Sequence, residues 1–417
     1  MIKAIMIGAG ARGIGVYGEY AKNHPEELSF VGVAEPDEER RIYFAMQHDI
    51  PGERQYTDYR DILDEERFAD VCFICTQDDM HLDPAIKALN KDYHIFLEKP
   101  IATTPSDVLA IKALADKHDR LMMIAHVLRY TDFFSKIKSL IEDGSIGDLI
   151  TIQHNENVGY WHAAHSYVRG KWHRRDEASP MILAKSCHDL DLLLWFADEP
   201  VKTVSSFGSL SYFKRDNQPE DAPDYCMEGC AHEMTCPYYA PRVYKEGPIW
   251  FKFAVSNQMT DEAIMEALKD GPYGRCVYAC DNDVVDHQVT NIEFENGVTV
   301  AFTMSAFTNE NTRTIKVMGT KGEIRGHLLK NELEIRRFGE EDNKIFRFEK
   351  SDLSYDHGGG DQKIMDAFVR TFKQKKAIIE KDLEYSFTSH LLAFAADESR
   401  LNNKIIDFKK YLKRVKK

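Results

Sequence analysis

The chain has 417 residues, 43% of them hydrophobic, which is enough for a substantial core and for two domains. Its formal net charge of −14 leaves no basic footprint for nucleic acid, and the one strongly positive run, the KKYLKRVKK tail, reads as a solvated terminal helix. No apolar run reaches the roughly 18–20 residues that cross a bilayer, the first residues lack a signal peptide's regions, and eight cysteines in so long a chain make no disulfide scaffold, so a cytoplasmic protein is expected.

Lys3 to Ile7 reads as a short buried strand that runs into Gly8-Ala9-Gly10-Ala11-Arg12-Gly13, with a helical segment following to about Asn23. GxGxxG between a strand and a helix is a dinucleotide-binding signature. The glycines allow a tight turn, close approach to a pyrophosphate and close helix–strand packing, while the helix start offers free N–H groups. A second strand, Leu28 to Ala34, ends in Glu35. An acid about 20 residues past the glycines accepts hydrogen bonds from the adenine-ribose hydroxyls and repels a 2′-phosphate. NAD is therefore favoured over NADP, with Arg40 and Arg41 pointing the other way. Further on, 57–63 reads as a loop and short helix, 70–76 as a strand, 81–90 as a helix and 94–97 as another strand. This alternation predicts a doubly wound parallel sheet with ligand at the carboxyl ends of its strands, where Thr76, Gln77 and Glu98-Lys99-Pro100 fall.

GAGARG, TQDDMHLDPAIKAL, FLEKPIA and the later GTKGEIRG together resemble the Gfo/Idh/MocA oxidoreductases, and the resemblance covers nearly the whole chain. It implies a Rossmann domain over about 1–126 and an α/β domain with a large, mostly antiparallel open sheet over about 127–417. It also implies a homo-oligomer, and hydride transfer between a nicotinamide and a carbon of a sugar, sugar derivative or cyclitol. Candidate cofactor contacts are Gly8, Gly10, Ala11, Arg12, Gly13, Glu35, Thr76, Gln77, His81, Glu98 and Lys99. The family's EKP lysine lies beside the nicotinamide and the reacting hydroxyl, and that position here is Lys99. The chemistry agrees, since a lysine can take up a hydroxyl proton as hydride leaves and, as a cation, steady a developing alkoxide. Pro100 restricts Lys99 to extended backbone.

From Val127 the second domain begins, and Leu128-Arg129-Tyr130 resembles the family's hinge at the substrate cleft. A helix near 133–142, a Gly-Ser-Ile-Gly turn and a strand near 149–156 follow. The stretch YWHAAHSYVRGKWHRRD then reads as a loop whose His162, His165, Arg169, Trp172 and His173 offer donors and stacking faces to a polyhydroxylated or anionic substrate. Next comes ILAKSCHDLDLLLW. Many family members carry Asp-x-x-x-His here on one helix face. His188 matches the histidine, while Ala184 stands where the acid belongs. Lys185, three residues before His188 on one helix, would face the same pocket. Lys99 and His188 are the candidates for proton transfer, with Lys185 as a third. Arg129, His165, Arg169, Trp172, His188 and His287 are the candidates for holding substrate. If 281–288 is extended, Asp281, Asp283 and His287 share a face and are candidates for replacing the missing acid.

Residues of about 210–280 read as an insertion in which Cys226, Cys230 and Cys236, with His232 or Cys276, are candidate ligands for a structural zinc; unligated thiols are the alternative. Cys72 and Cys75 read as packing in a core strand. ENG and GTKGEIRG mark hairpins, and helices are expected near 361–374 and 384–400 in a helical stretch running to 417. The leading functional reading is an NAD-dependent dehydrogenase of a sugar or cyclitol. The alternatives are a glycoside hydrolase that oxidises its substrate transiently on bound NAD, and an NAD-bound protein that lost catalysis with the acid.

Overall fold

The structure, a computed structural model, describes residues 1–118, 120–349, 357–374 and 380–416; Lys417, the last residue of the expected terminal helix, lies outside them. Six strands form the first sheet: β1 (Ile2–Ile7), β2 (Leu28–Ala34), β3 (Gln55–Tyr56), β4 (Val71–Ile74), β5 (His94–Leu97) and β6 (Met122–Ile124), ordered β3-β2-β1-β4-β5-β6 and all parallel. Every residue of β4 is buried, as a strand covered on both faces requires. The chain runs outward from β1 to β3 and then returns to β4 on the other side of β1. That reversal opens a crevice above the carboxyl end of β1, where the glycine turn begins.

The second sheet holds β7 (Leu149–Gly159), β8 (Val201–Ser209), β9 (His287–Phe294), β10 (Thr299–Thr308), β11 (Thr312–Gly319), β12 (Gly322–His327), β13 (Glu332–Arg337), β14 (Lys344–Arg347) and β15 (Ile406–Asp407), ordered β14-β13-β12-β11-β7-β10-β9-β8-β15. Only the β7–β10 pair is parallel. Burial along β7 alternates from Ile152 to Val158, so that Ile152, His154, Glu156 and Val158 face inward. The Glu380–Asn402 helix packs on the Cys187–Ala197 helix and on β8, which covers the inner face. Among the described residues no helix is long and apolar enough to cross a membrane.

Three departures from the sequence reading shape the site. The expected loop at 160–169 is wound into helix, over Tyr160–Ala163 and Ala164–Arg169. The expected continuous helix through Lys185 is broken, with one helix covering Met181–Ala184 and the next starting at Cys187. Between β8 and β9 the chain forms three short helices, Ala240–Glu246, Ile249–Val255 and Asp261–Ala267, around a small core of its own that includes Tyr244, Phe251 and Leu268.

Candidate active site

The glycine turn is built as a phosphate cradle. Gly8 sits at φ +89°, and a Cβ there would stand 2.7 Å from the carbonyl carbon of Cys75. A Cβ on Gly13 would stand 2.5 Å from the Gly8 oxygen, whereas Gly10 has open space around it. A phosphate can therefore reach the backbone at Gly10 while the other two glycines let helix and strands close up. Glu35, buried at the end of β2, accepts the Ala9 N–H at 2.7 Å and the Asp37 N–H at 3.0 Å. Arg41 donates to the backbone oxygen of Glu35 at 2.7 Å, so its charge is turned to the carbonyls behind the acid.

Arg12 spends its guanidinium on neighbouring side chains instead of on the crevice. Nε donates to Glu98 at 2.6 Å, Nη2 to Tyr17 at 3.0 Å, and Nη1 and Nη2 to Asp361 at 3.0 and 2.8 Å. Burial pushes Glu98 up, but the Arg12 charge and the Tyr17 hydrogen bond outweigh it and hold the carboxyl below its usual range. Glu98 in turn accepts the Lys99 N–H at 3.1 Å, and the Lys99–Pro100 peptide is cis. His81 braces the same loop, with Nδ1 2.6 Å from the Pro100 oxygen. A carbonyl only accepts, so this nitrogen carries the proton. The Lys99 side chain emerges from this frame and donates to the backbone oxygen of Ala184 at 3.0 Å.

Ala184 thus supplies a carbonyl at the position where the family resemblance implies an acid, and a carboxylate stands close by on another element. Glu156 projects from β7 and lies 3.4 Å from the Lys185 ammonium. Its neighbour across the ladder is Arg313 of β11, whose Nη2 forms an ion pair with it at 2.5 Å. Arg313 also donates to Asp189 at 2.7 Å through Nε, and His154 meets the same carboxylate at 2.7 Å. Burial, opposed by the Arg313 and Lys185 charges, pushes Glu156 up. Burial also pushes Lys185 down, against the pull of Glu156. Both partners are thereby moved toward their neutral forms. Asp189 is buried too, but Arg313 and His154 overcome that and hold it low.

His188 is buried, and its Nδ1 finds no hydrogen-bond partner among the described residues. Its ring centroid lies 5.5 Å from that of His126 and 6.0 Å from that of His357. Burial, with the charges of Lys99, His126 and His357, pushes His188 well below the usual histidine range, so the neutral ring is the resting form. The Lys99 charge acts on Lys185 and His126 as well. Thr76 Oγ1, His81 Nε2 and Ser186 Oγ are also buried without partners among the described residues. Unmet polar atoms around an open cradle are what a polar dinucleotide and a polyhydroxylated substrate would satisfy.

Comparison with known proteins identifies this architecture. The NAD-binding Rossmann-fold domain of the Gfo/Idh/MocA oxidoreductase family matches residues 2–126, and the C-terminal alpha/beta domain of that family matches residues 138–408. The chain belongs to the Gfo/Idh/MocA oxidoreductases. It is 23% identical over 324 residues to YteT of Bacillus subtilis, an oxidoreductase by name only, covering 71% of each chain. It is 26% identical over 156 residues to the inositol 2-dehydrogenase of Salmonella typhimurium, covering 37% of this chain and 43% of that one. Among solved structures it resembles a levoglucosan dehydrogenase bound to NADH and levoglucosan, with a TM-score of 0.72 at 18% identity, covering 98% of this chain and 99% of that one. A likeness at that identity concerns the fold.

Within this Gfo/Idh/MocA fold several expected residues stand apart from the group around Lys99. Arg129 is held by Asp191, 2.5 Å from Nε, and by Asp382, so it ties the hinge to two helices. His165 stacks on Phe251 at 3.9 Å and meets the Tyr244 hydroxyl at 3.0 Å, inside the insertion's core. Arg169, one helical turn on, donates to the backbone oxygens of Arg275 and Tyr238 at 2.7 Å each. The winding of 160–169 into helix turns both side chains toward the insertion. His287 sits half-exposed beside Asp286 at 2.8 Å, Asp281 pairs with Arg275 at 2.6 Å, and Asp283 accepts the Arg175 N–H. These partners lie outside the group around Lys99. Trp172, by contrast, reaches across to the first domain and donates to Asp78 at 3.0 Å, and the Lys99 charge acts on that carboxyl. Gln77 is exposed at the end of β4.

The candidate zinc ligands share one cavity without being gathered into a ligand set. Cys226, Cys230, Cys236 and Cys276 line a cavity of about 130 Å³ with His232 and Arg169. Yet among the described residues no group of three or more histidine, cysteine or acidic side chains could hold a metal ion. All eight cysteines are free thiols.

Proposed function

We propose that this family member transfers a hydride between NAD and a secondary hydroxyl carbon of a sugar, sugar derivative or cyclitol. The observation that carries the reading is the meeting of Lys99, Lys185 and His188 at the carboxyl end of the first sheet, fixed by the Lys99 contact to Ala184. The residues fit the cofactor: Gly8, Gly10 and Gly13 would hold the pyrophosphate, and Glu35 the adenine ribose. When bound, NAD supplies the hydride acceptor. The neutral His188 ring accepts a hydrogen bond from the reacting hydroxyl and draws off its proton as the carbon loses hydride. The Lys99 and Lys185 ammonium groups stabilise the charge that develops on oxygen. Glu156 keeps Lys185 in place and shares its proton.

The outward-facing Phe207 and Val289, register neighbours on β8 and β9, support a homo-oligomer formed through the open sheet. Eight free thiols agree with a cytoplasmic location. The test is a panel of sugars, sugar acids, cyclitols and glycosides incubated with NAD. NADH formation that Lys99→Ala abolishes supports the reading, and a panel without NADH or released aglycone removes it. Redox-neutral glycoside cleavage is the second reading. The Glu156–Lys185 pair favours it, because it offers acid–base capacity beyond what one hydride transfer uses. Aglycone release without NADH accumulation would select that reading.

A further inference from the structure

The helix that follows Glu35 runs from Glu38 to Gln47, and Asp37 caps it by accepting the Arg40 N–H at 3.0 Å. Arg40 therefore stands in the first turn beside the ribose-binding acid, where a cation can meet a 2′-phosphate. Its own domain barely holds it. Nε lies 4.0 Å from Asp37 and is buried without a hydrogen bond among the described residues.

What holds the guanidinium belongs to the insertion, more than 200 residues away in the chain. Nη2 donates to the Asn257 side-chain oxygen at 3.3 Å, and the guanidinium carbon lies 5.3 Å from the centre of the Phe253 ring. The Asn257 amide nitrogen donates to Glu39 at 3.2 Å. Asn257 thus staples the insertion to the first turn of the helix, while Phe253 gives the guanidinium a π face to lie on. Lys171, from the same side of the molecule, shares this corner, since the charges of Arg40 and Glu35 both act on it.

We propose that the insertion completes the adenosine subsite and sets the choice of dinucleotide, because Phe253 and Asn257 keep Arg40 from the 2′ position of the ribose. This rests on the reading of the glycine turn as an NAD site. Glu35 alone would be one acid among three cations: Arg40, Arg41 and Lys171. Arg41 is turned to backbone oxygens, and the insertion removes Arg40. Two of the three cations that could neutralise a 2′-phosphate are thus engaged elsewhere, and Glu35 keeps the corner selective for a free hydroxyl.

The test measures the affinities of wild type, F253A/N257A and R40A/F253A/N257A for both NAD and NADP by titration calorimetry, with far-UV circular dichroism to confirm the fold. The double variant is expected to raise the NADP-to-NAD affinity ratio by about tenfold, the worth of one charge-assisted hydrogen bond. Adding R40A is expected to cancel that gain. An unchanged ratio in the double variant, or a gain that survives R40A, overturns the proposal. Wild type that binds neither nucleotide overturns the NAD reading itself, and the inference with it.

Discussion

Replacing Glu156 tests its pairing with Lys185 beside the Ala184 carbonyl. The Lys185–Glu156 contact is 3.4 Å long, with side chains 15% and 1% exposed, so neither charge is well hydrated. An attraction on the order of 5 kcal/mol follows for unit charges at that separation and an effective dielectric of about 20, which is an upper bound. Removing one partner of a buried pair costs about 3–5 kcal/mol, because the other charge stays buried alone. Arg313 keeps Asp189 when Glu156 is lost, so the cost falls mainly on Lys185. Glu156→Gln and Lys185→Met should each lose about 3 kcal/mol, and the double variant should cost less than the sum by about 2 kcal/mol. Equilibrium urea unfolding of the four proteins, at constant m-value, gives the cycle. Single costs that add within about 0.5 kcal/mol would show the two residues to be uncoupled and would refute the pairing as a stabilising contact.

Lys99→Ala should lower kcat/KM by roughly 10²–10⁴-fold with the Kd for NAD within a few-fold of wild type; unchanged turnover would remove Lys99 from the chemistry. Gly8→Ala should weaken NAD binding by about tenfold or more, because φ +89° and the 2.7 Å clash with Cys75 deform the cradle; nucleotide titration decides it. Stability should fall in mild acid. Burial, then the His126 charge, holds the His390 pKa at about 3, against an ordinary value near 6.5 when unfolded. The unfolded chain therefore binds a proton that the folded one refuses, and stability is lost as pH drops through 6.5 toward 3. His390 alone accounts for about 2 kcal/mol between pH 6.5 and 5, with His126 and His188 shifted in the same direction. Urea midpoints at pH 7 and 5 measure this, and equal midpoints would contradict it.

Four of the six strands of the first sheet, β1, β2, β4 and β5, are legible in the sequence as short, mostly apolar runs, whereas β3 and β6, at two and three residues, are too short to mark a strand. The site of the second domain was only half legible. Alternation along β7 marks Glu156 and His154 as inward-facing polar residues, a signal present in the sequence but missed. The partner Arg313 was out of reach, since only the β7–β11 register brings the two side chains together. Lys185 was assigned a helix position, but the backbone breaks there, and it is the break that frees the Ala184 carbonyl for Lys99. His165 and Arg169 turn toward the insertion, an orientation that composition cannot give because it does not tell which side of a helix faces a cleft.

The Arg12–Asp361 contact joins residues 349 positions apart, and it steadies the same Glu98 that anchors the lysine loop. At roughly 5–20 residues per second, synthesis of the second partner trails the first by on the order of 20–70 s. A nascent chain can lay down its parallel sheet and the Arg12 contacts to Tyr17 and Glu98 early, yet the Asp361 contact forms only once the chain has been made through the second domain. The Arg12–Glu98–Asp361 cluster is thus assembled in two stages, its first-domain half before its second-domain half.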